Sequence, residues 1–301
     1  MRAVLILVHA TRPEAAQVAV EFALAVQAEG IEICALDADA TVLKSAGLEQ
    51  VRSVTSAPPD SELALVFGGD GTILRAAEAC RGTQVPVLGV NLGHVGFLAE
   101  SEREELTSTV ERALARDYLV EERMTLSVRV KVDSEVVYET WALNEATVEK
   151  ASRERMLEVV IEVDGRPLST FGCDGVVMST PTGSTAYAFS AGGPIVWPSL
   201  DAILLVPLSA HALFARPIVV GPDSALAVEV MDRNLGTGVL WCDGRRARDL
   251  PRGARVIVRR SPVPVRLARL SQGPFTDRLV DKFNLPVYGW RGPASEEGPH
   301  S

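Results

Sequence analysis

The sequence predicts two domains, an α/β domain followed by a mainly β domain, in a chain of 301 residues. A chain of this length exceeds the usual size of one hydrophobic core. The first part alternates short apolar segments with helical segments, which is typical of a parallel sheet covered by helices. From Met124 onwards apolar residues alternate with polar ones, which is typical of antiparallel strands.

The α/β domain is predicted over residues 1–117. The opening stretch from Met1 to Ala10 is apolar, and Glu14 follows it before any small-residue cleavage site. We therefore interpret the stretch as a buried first strand and not as a secretory signal. Apolar runs that precede turns predict strands, and helical periodicity predicts helices. The strands are expected at 4–8, 31–36, 63–67 and 85–90, and the helices at 13–29 and 73–80.

The β domain is predicted over residues 118–264. Asp164-Gly165 and Asp243-Gly244 each lie between apolar-alternating runs, which predicts two-residue hairpins with positive φ. The remaining segment, 265–290, has a helical stretch that ends at Asn284, and we expect it to pack back on the first domain. The tail 291–301 is rich in Gly, Pro, Ser and Glu, a composition typical of disorder.

The composition narrows the classes of partner. A net charge of -9 repels polyanions, so nucleic acid and anionic membranes are poor candidates. No apolar run reaches the roughly 18 residues of a membrane span. The four cysteines have no paired spacing, so we expect reduced thiols in a cytoplasmic protein and neither a zinc site nor a disulfide framework.

The segment Gly68-Gly69-Asp70-Gly71-Thr72 lies between a predicted strand and a predicted helix, where open α/β sheets bind ligands. The glycines let a phosphate approach the backbone, and the amides of the helix start favour an anion. A carboxylate there would repel phosphate unless it binds a metal ion, orients a hydroxyl or accepts its proton, which are all roles in phosphoryl transfer. The alternative is an ordinary glycine-rich turn in which Asp70 caps the helix.

Several other phosphate and hydrolase motifs are excluded. No Gly-Lys dipeptide occurs, so there is no Walker loop, and Leu74 stands where a dinucleotide fingerprint needs its third glycine. Serine-hydrolase and zinc-protease motifs are missing as well. His94, in the loop after the next strand, could act on phosphate, although a loop histidine is more often only a hydrogen-bonding group.

Two motifs in the second domain suit a nucleoside. The amide of Asn144 and the carboxylate of Glu145 supply donors and acceptors for an adenine edge and a ribose diol. The alternative is that the pair is only the polar end of a strand. In the loop from Asp174 to Ser190, small side chains admit a flat ligand and Tyr187 offers a ring face. The alternative is a turn that caps a helix at Thr182 or Ser184, with Tyr187 in the core.

These motifs, in this order, resemble those of bacterial NAD kinases. The shared features are the Gly-Gly-Asp-Gly-Thr loop, the Asn-Glu pair and the Thr-Pro-Thr-Gly-Ser-Thr-Ala-Tyr loop. The resemblance covers essentially Val4 to Trp290. It implies a Rossmann-like first domain, a β-sandwich second domain and assembly into homodimers or homotetramers.

The resemblance also implies roles for the matching residues. Asp70 would orient or deprotonate the 2′-hydroxyl of the adenosine ribose of NAD, with Gly71 and Thr72 beside the phosphates. Asn144 and Glu145 would hold the adenosine part. The other substrate contacts would be Thr182, Thr185, Ala186 and Tyr187 around the nucleosides, and Asp174 and Ser190 towards the nicotinamide. Cys173 stands where many relatives have glycine.

The expected activity is transfer of the terminal phosphoryl group of ATP or polyphosphate to NAD, giving NADP. Mg²⁺ is expected to neutralise charge on the donor oxygens. One rival is a lipid kinase of the diacylglycerol or sphingosine type, which shares a similar Gly-Gly-Asp-Gly-Thr loop. Another is a non-catalytic NAD(H) sensor that kept the pocket and lost turnover.

Overall fold

A computed structural model describes residues 2–90, 96–98, 106–153, 155–270 and 273–287. The chain forms two compact units: Met1–Glu121 together with Leu267–Ser301, which we call unit 1, and Glu122–Arg266, which we call unit 2. The sequence placed these boundaries at 117/118 and 264/265. The predicted tail at 291–301 lies outside the described residues.

Unit 1 is built on a seven-stranded sheet in the order β3-β2-β1-β4-β5-β19-β6. Its elements are β1 (Ala3–Val8), α1 (Pro13–Ala28), β2 (Glu32–Leu36), α2 (Asp37–Ser45), β3 (Arg52–Val54), β4 (Ser61–Phe67), α3 (Asp70–Ala79), β5 (Val87–Val90), α4 (Leu106–Ala115), β6 (Leu119–Arg123), β19 (Val265–Arg269) and α6 (Phe275–Phe283).

The sheet of unit 1 is parallel where the sequence predicted it. All six residues of β1 are buried, as expected of a strand that is covered on both faces. Strand β1 pairs in parallel with β2 on one side and with β4 on the other. The order in which successive strands are added to the sheet therefore reverses between β1 and β4. Open α/β sheets bind ligands beyond the carboxyl ends of strands at such a switch point, and Gly68 follows the end of β4 there.

The C-terminal segment belongs to unit 1, as the sequence predicted. Strand β19 pairs in parallel with β5, so the late strand joins the first sheet. Helix α6 ends at Asn284, whose φ of 48° is the left-handed conformation that commonly terminates helices. Phe97 packs against the rings of Phe275 and Phe283, with centroids 6.0 and 5.8 Å away. The segment thereby contacts residues next to the Asp70 loop.

Unit 2 contains two six-stranded antiparallel sheets, in the orders β11-β10-β15-β18-β7-β8 and β14-β13-β12-β9-β16-β17. Its remaining elements are β7 (Leu126–Val132), β8 (Glu135–Ala142), β9 (Glu145–Lys150), β10 (Leu157–Val163), β11 (Arg166–Cys173), β12 (Gly175–Ser179), a 3-10 turn (Thr182–Thr185), α5 (Tyr187–Ser190), β13 (Ile203–Leu208), β14 (Ile218–Val220), β15 (Leu226–Val230), β16 (Gly238–Cys242), β17 (Arg246–Leu250) and β18 (Arg255–Arg260).

The core of unit 2 lies between the two sheets. Leu126, Val128 and Val130 of β7 are buried in one hydrophobic cluster with Ala146 and Val148 of β9, so alternate residues of both sheets meet there. The second unit is therefore a β-sandwich, as expected. None of the described helices is long and apolar enough to cross a membrane.

The hairpin turns are confirmed in part. Asp164 and Gly165 have φ of 52° and 75° and join β10 to β11 as a two-residue turn. Asp243 and Gly244 also have positive φ, but the pairing of Cys242 with Arg246 leaves three residues in that loop. The prediction of a two-residue turn was wrong there, because dipeptide chemistry does not show where pairing resumes.

A salt bridge within the first sheet of unit 2 gives a test of the fold. Arg255 donates to both carboxylate oxygens of Glu162, at 2.6 and 2.5 Å, and the side chain of Glu162 is only 8% exposed. Arg255→Ala leaves this carboxylate buried without its main partner. We expect a loss of roughly 3 kcal/mol in the free energy of unfolding, measured by urea denaturation.

The matched control is Arg129→Ala. Arg129 pairs with Glu139 at 2.7 Å, but both side chains are more than half exposed. Such surface pairs contribute about 0 to 1 kcal/mol. Equal losses for the two variants would contradict the importance of burial at Glu162.

Candidate active site

The carboxylate of Asp70 is held by backbone amides from another part of unit 1. Asp70 is the first residue of α3, and the preceding Gly69 makes no side-chain cap. The amide of Phe97 donates to Asp70 Oδ2 at 3.3 Å, and that of Leu98 donates to Oδ1 at 3.2 Å. The carboxylate therefore does not cap its own helix, which was the alternative interpretation of this motif.

The approach of these amides depends on Gly96. A Cβ atom at Gly96 would lie 2.5 Å from Asp70 Oδ1, closer than any real Cβ contact. Any side chain at that position would push the carboxylate away from the two amides. Gly96 and Asp70 thus form one arrangement, although 26 residues of sequence separate them.

The start of α3 leaves backbone open for an anion. A side chain at Gly69 or Gly71 would meet no atom of the described residues within 4 Å, which leaves room for a ligand on that side. The first amides of a helix lack intrahelical partners and carry the positive end of its dipole. The side chain of Thr72 is buried, and its amide donates to the Gly69 carbonyl at 2.9 Å, so Thr72 closes the first turn of the helix. This geometry suits a phosphate group beside Asp70.

Asp39 and Arg75 support the same end of the sheet, and sequence analysis missed both. The side chain of Asp39 is 2% exposed; it accepts from the Val8 amide at 3.0 Å and from Arg75 Nη2 at 2.5 Å. Arg75 also donates to the Val8 carbonyl at 3.2 Å. These bonds fix α3 to the end of β1. Local sequence patterns cannot predict this pair, because Asp39 and Arg75 are 36 residues apart.

Asn144 and Glu145 are placed by a buried acid from the turn between β16 and β17. Asp243 Oδ2 accepts from the Leu143 amide at 3.0 Å, and Oδ1 accepts from the Asn144 amide at 2.7 Å. Arg246 donates to the same carboxylate at 2.8 Å, and the Asp243 side chain is 2% exposed. The sequence indicated Asp243 only as a turn residue. Its main role is to hold the Asn-Glu pair.

The Glu145 side chain is buried with one oxygen free of protein partners. The Tyr187 amide donates to its carboxyl group, while Oε2 has no hydrogen-bond partner among the described residues. Burial, and next the charge of Asp243, raise the pKa of Glu145 to about 8. At neutral pH Glu145 is therefore mainly a neutral carboxylic acid, which can donate as well as accept a hydrogen bond.

The hydroxyl-rich loop is held by hydrogen bonds within the loop and by others to the segment that precedes Glu145. Thr180 Oγ1 donates to the Leu143 carbonyl at 2.6 Å, and Ser184 Oγ donates to the Pro181 carbonyl at 2.7 Å. A Cβ atom at Gly183 would overlap the Asn144 carbonyl oxygen, so only glycine allows the loop to lie this close to the Asn-Glu pair.

The predicted contacts of this loop differ in accessibility. Thr182 is buried, and its hydroxyl accepts a 3.4 Å hydrogen bond from Arg123. Thr185 and Ala186 are half-buried, whereas Ser190 is exposed at the end of α5. Tyr187 is 39% exposed, so the alternative in which it belongs to the core is wrong.

Asp174 lies at the junction of β11 and β12 and forms an ion pair with Lys150 at 2.5 Å. The hydrogen bond from Lys150 lowers the pKa of Asp174, so this residue stays charged. Cys173 beside it points into the sandwich core, and burial raises the pKa of its thiol to about 12. The cysteine is a core residue and leaves the Asp174 side chain on the surface.

A pocket of about 540 Å³ opens beside these residues in unit 2. Glu145 and Tyr187 line it, together with Thr147, Glu149, Trp241 and Gly244, which sequence analysis did not select. His94, the remaining candidate in the first domain, lies outside the described residues.

The raised pKa of Glu145 predicts a pH-dependent stability. Because the folded pKa of about 8 exceeds the ordinary value of 4.5, this group stabilises the fold most at acidic pH, and the contribution is lost as pH rises towards 8. Glu145→Gln removes this dependence. The unfolding free energy of the wild type, measured in urea from pH 5.5 to 8, should fall relative to the variant by up to about 1.4 kcal/mol per pH unit. Parallel curves would show that Glu145 is charged in the folded protein.

Comparisons with known proteins agree with this geometry. Residues 4–118 match the family model of the ATP-NAD kinase N-terminal domain, and residues 143–270 match that of the ATP-NAD kinase C-terminal domain. An NAD kinase of Leifsonia xyli subsp. xyli is 76% identical over 236 residues, covering 78% of each chain. NAD kinase 2 of Streptomyces coelicolor is 57% identical over 296 residues, covering 97% of each.

Solved structures share the fold. Yeast NADH kinase complexed with NADH matches with a TM-score of 0.83 at 24% identity, over 95% of this chain and 89% of that one. An NAD kinase from Archaeoglobus fulgidus in complex with ATP matches with a TM-score of 0.70 at 23% identity, over 94% and 99% of the two chains. Because the two family models together cover most of the chain and the bacterial relatives match it closely, this protein belongs to the NAD kinase family.

Proposed function

We propose that this protein transfers the terminal phosphoryl group of ATP or polyphosphate to the 2′-hydroxyl of the adenosine ribose of NAD, giving NADP. The observation that carries the proposal is the Asp70 carboxylate, held by two backbone amides at the start of a helix that offers open backbone to phosphate. Membership in the NAD kinase family supports the choice of acceptor.

Asp70 would act on the acceptor hydroxyl. Each of its carboxylate oxygens takes one hydrogen bond from the backbone, which leaves acceptor capacity for a ribose hydroxyl. The amides fix the orientation of the carboxylate before substrate binds. Transition states of phosphoryl transfer are loose, so positioning and electrostatics contribute more than proton removal.

The donor phosphates would bind at the start of α3. The open backbone at Gly69 and Gly71 allows close approach, and the positive end of the helix dipole there favours phosphate oxygens. Both matched families are ATP-NAD kinases, which supports ATP as a donor. Polyphosphate offers the same terminal group to this backbone.

Unit 2 would hold the nucleoside parts of NAD. The neutral Glu145 can donate to a ribose or base acceptor, and Asn144 supplies an amide beside it. Tyr187 presents an exposed ring, while Asp174 and Ser190 lie at the surface for contacts towards the nicotinamide.

We also propose that Mg²⁺ accompanies the donor. When bound, it would neutralise charge on the phosphate oxygens. No group of three or more His, Cys, Asp or Glu side chains within the described segments is arranged to hold a metal. The remaining acceptor capacity of Asp70 fits an ion that is bound mainly by phosphates. Removal of divalent ions with EDTA should abolish turnover, and added Mg²⁺ should restore it.

The two rival functions are less well supported. A lipid kinase would share the Asp70 loop, but the second half of the chain matches the NAD kinase model as well. A non-catalytic sensor would have no need of an acid oriented beside open phosphate-binding backbone. We place the enzyme in the cytoplasm, where its four buried free cysteines would stay reduced.

We further propose a homodimer or homotetramer. Leu213, Phe214 and Val219 in unit 2 each expose half or more of their surface, and exposed apolar groups of this kind often lie in interfaces. Light scattering after size-exclusion chromatography should give two or four times the mass of 32.2 kDa. Phe214→Glu should lower this mass, whereas a monomeric wild type would overturn the proposal.

Asp70→Asn tests the role of the carboxylate. The amide side chain keeps the size but loses the charge and the proton acceptor, so we expect kcat to fall by about 100-fold or more. The dissociation constant for NAD should change by less than about threefold. Both are measured with purified protein, NAD, Mg²⁺ and each donor in turn, with NADP detected by an NADP-specific dehydrogenase.

Asp60→Asn is the matched control, since Asp60 is a partly exposed acid of unit 1 that pairs with Arg52. It should leave turnover unchanged. Wild-type turnover in Asp70→Asn would disprove the role of Asp70. A wild type that forms no NADP with any donor would favour the sensor.

A further inference from the structure

The last helix of unit 1 contacts the backbone that binds the Asp70 carboxylate. Arg278, on α6, donates from Nη1 to the Phe97 carbonyl at 3.2 Å. That carbonyl belongs to the peptide group whose N–H, on Leu98, donates to Asp70 Oδ1 at 3.2 Å. We propose that Arg278 is a positioning residue for phosphoryl transfer, which acts through this peptide group on the orientation of Asp70. The inference rests on the proposed function, because it concerns the same carboxylate.

The peptide group between Phe97 and Leu98 lies between two opposite charges. Its N–H donates to the carboxylate, and its carbonyl accepts from the guanidinium of Arg278. A peptide dipole has its positive end at the N–H and its negative end at the oxygen, so both charges favour the same orientation. Hydrogen bonds in such a chain polarise one another, which strengthens each by about 10 to 30%. Arg278 therefore strengthens the hydrogen bond that orients Asp70, although it lies on the far side of the peptide group.

The backbone at Gly96 makes this support necessary. Glycine has no Cβ atom, so its backbone is the least restricted of all residues. Glycine is nevertheless required here, because a Cβ atom would meet the Asp70 carboxylate. The peptide groups that follow can tilt unless other contacts fix them. When Arg278 is replaced, we expect the peptide group between Phe97 and Leu98 to tilt and to turn its N–H away from Oδ1.

Helix α6 holds Arg278 at this place through aromatic contacts. Phe275, Arg278 and Phe283 follow the spacing of residues that share one side of a helix. The rings of Phe275 and Phe283 both pack against the ring of Phe97, which is only 7% exposed. The helix thus fixes the side chain of Phe97 with two rings and its carbonyl with one guanidinium.

A second arginine holds the next carbonyl along the chain. Arg269 is the last residue of β19 and is 5% exposed. Its Nη1 donates to the Leu98 carbonyl at 3.1 Å, and its Nε pairs with Glu121 of β6 at 2.8 Å. The peptide group that Arg278 contacts therefore lies between a glycine on one side and an anchored carbonyl on the other. Arg278 determines the tilt that these two neighbours leave open.

Arg278→Met tests the proposal, because methionine keeps an unbranched apolar side chain and cannot donate. The kcat for NADP formation should fall by about tenfold, while the dissociation constant for NAD, measured by isothermal titration calorimetry, should change by less than about twofold. Arg278→Lys keeps a charged donor and should recover most of the loss. Arg112→Met is the matched control, since Arg112 is a partly exposed arginine of α4 that pairs with Asp117. It should leave kcat unchanged.

A double-mutant cycle separates positioning from a general structural effect. If Arg278 acts through the carboxylate, Arg278→Met should lower kcat by less than about twofold in the Asp70→Asn background. A tenfold loss in both backgrounds, or a wild-type kcat in Arg278→Met, would show that Arg278 does not position Asp70. The wild type in the same assay tests the proposed function separately. If it forms NADP, only the role of Arg278 has failed; if it forms none with any donor, both proposals have failed.

Discussion

The fixed position of one carboxylate determines what this site can do. Asp70 begins a helix, yet its oxygens accept hydrogen bonds from the amides of Phe97 and Leu98. That arrangement needs glycine at position 96. It places a carboxylate, which can accept a hydrogen bond from a hydroxyl, next to a helix start that favours phosphate. A hydroxyl acceptor and a phosphate donor can therefore be bound next to each other, which is the requirement of a kinase.

Unit 2 uses a second buried acid for a different purpose. Asp243 binds the backbone at Leu143 and Asn144 and so places the Asn-Glu pair. Its charge also helps to keep Glu145 protonated at neutral pH. The two acids thus have separate roles: Asp243 anchors the backbone, and Glu145 faces the pocket as a neutral acid.

Sequence periodicity predicted most of the fold and only part of the site. The parallel sheet, the sandwich and the helix that ends at Asn284 follow from patterns within about ten residues, where local sequence determines structure. Asp70, Glu145 and Tyr187 could be selected as candidates because glycine-rich and polar segments adjoin predicted strands there. Asp39, Asp243 and Trp241 were missed, because their partners lie 31 to about 100 residues away or across a strand pair. Chemistry that arises from such tertiary contacts leaves no local pattern.

The most direct test of the account is a crystal structure of the enzyme with bound NAD, in which the distance from the Asp70 carboxylate to the adenosine 2′-oxygen is measured. The account predicts a hydrogen bond of about 2.6 to 3.2 Å, as required of a group that orients or deprotonates this hydroxyl. A well-ordered NAD whose 2′-oxygen lies beyond hydrogen-bond reach of Asp70, with no water between them, would contradict it.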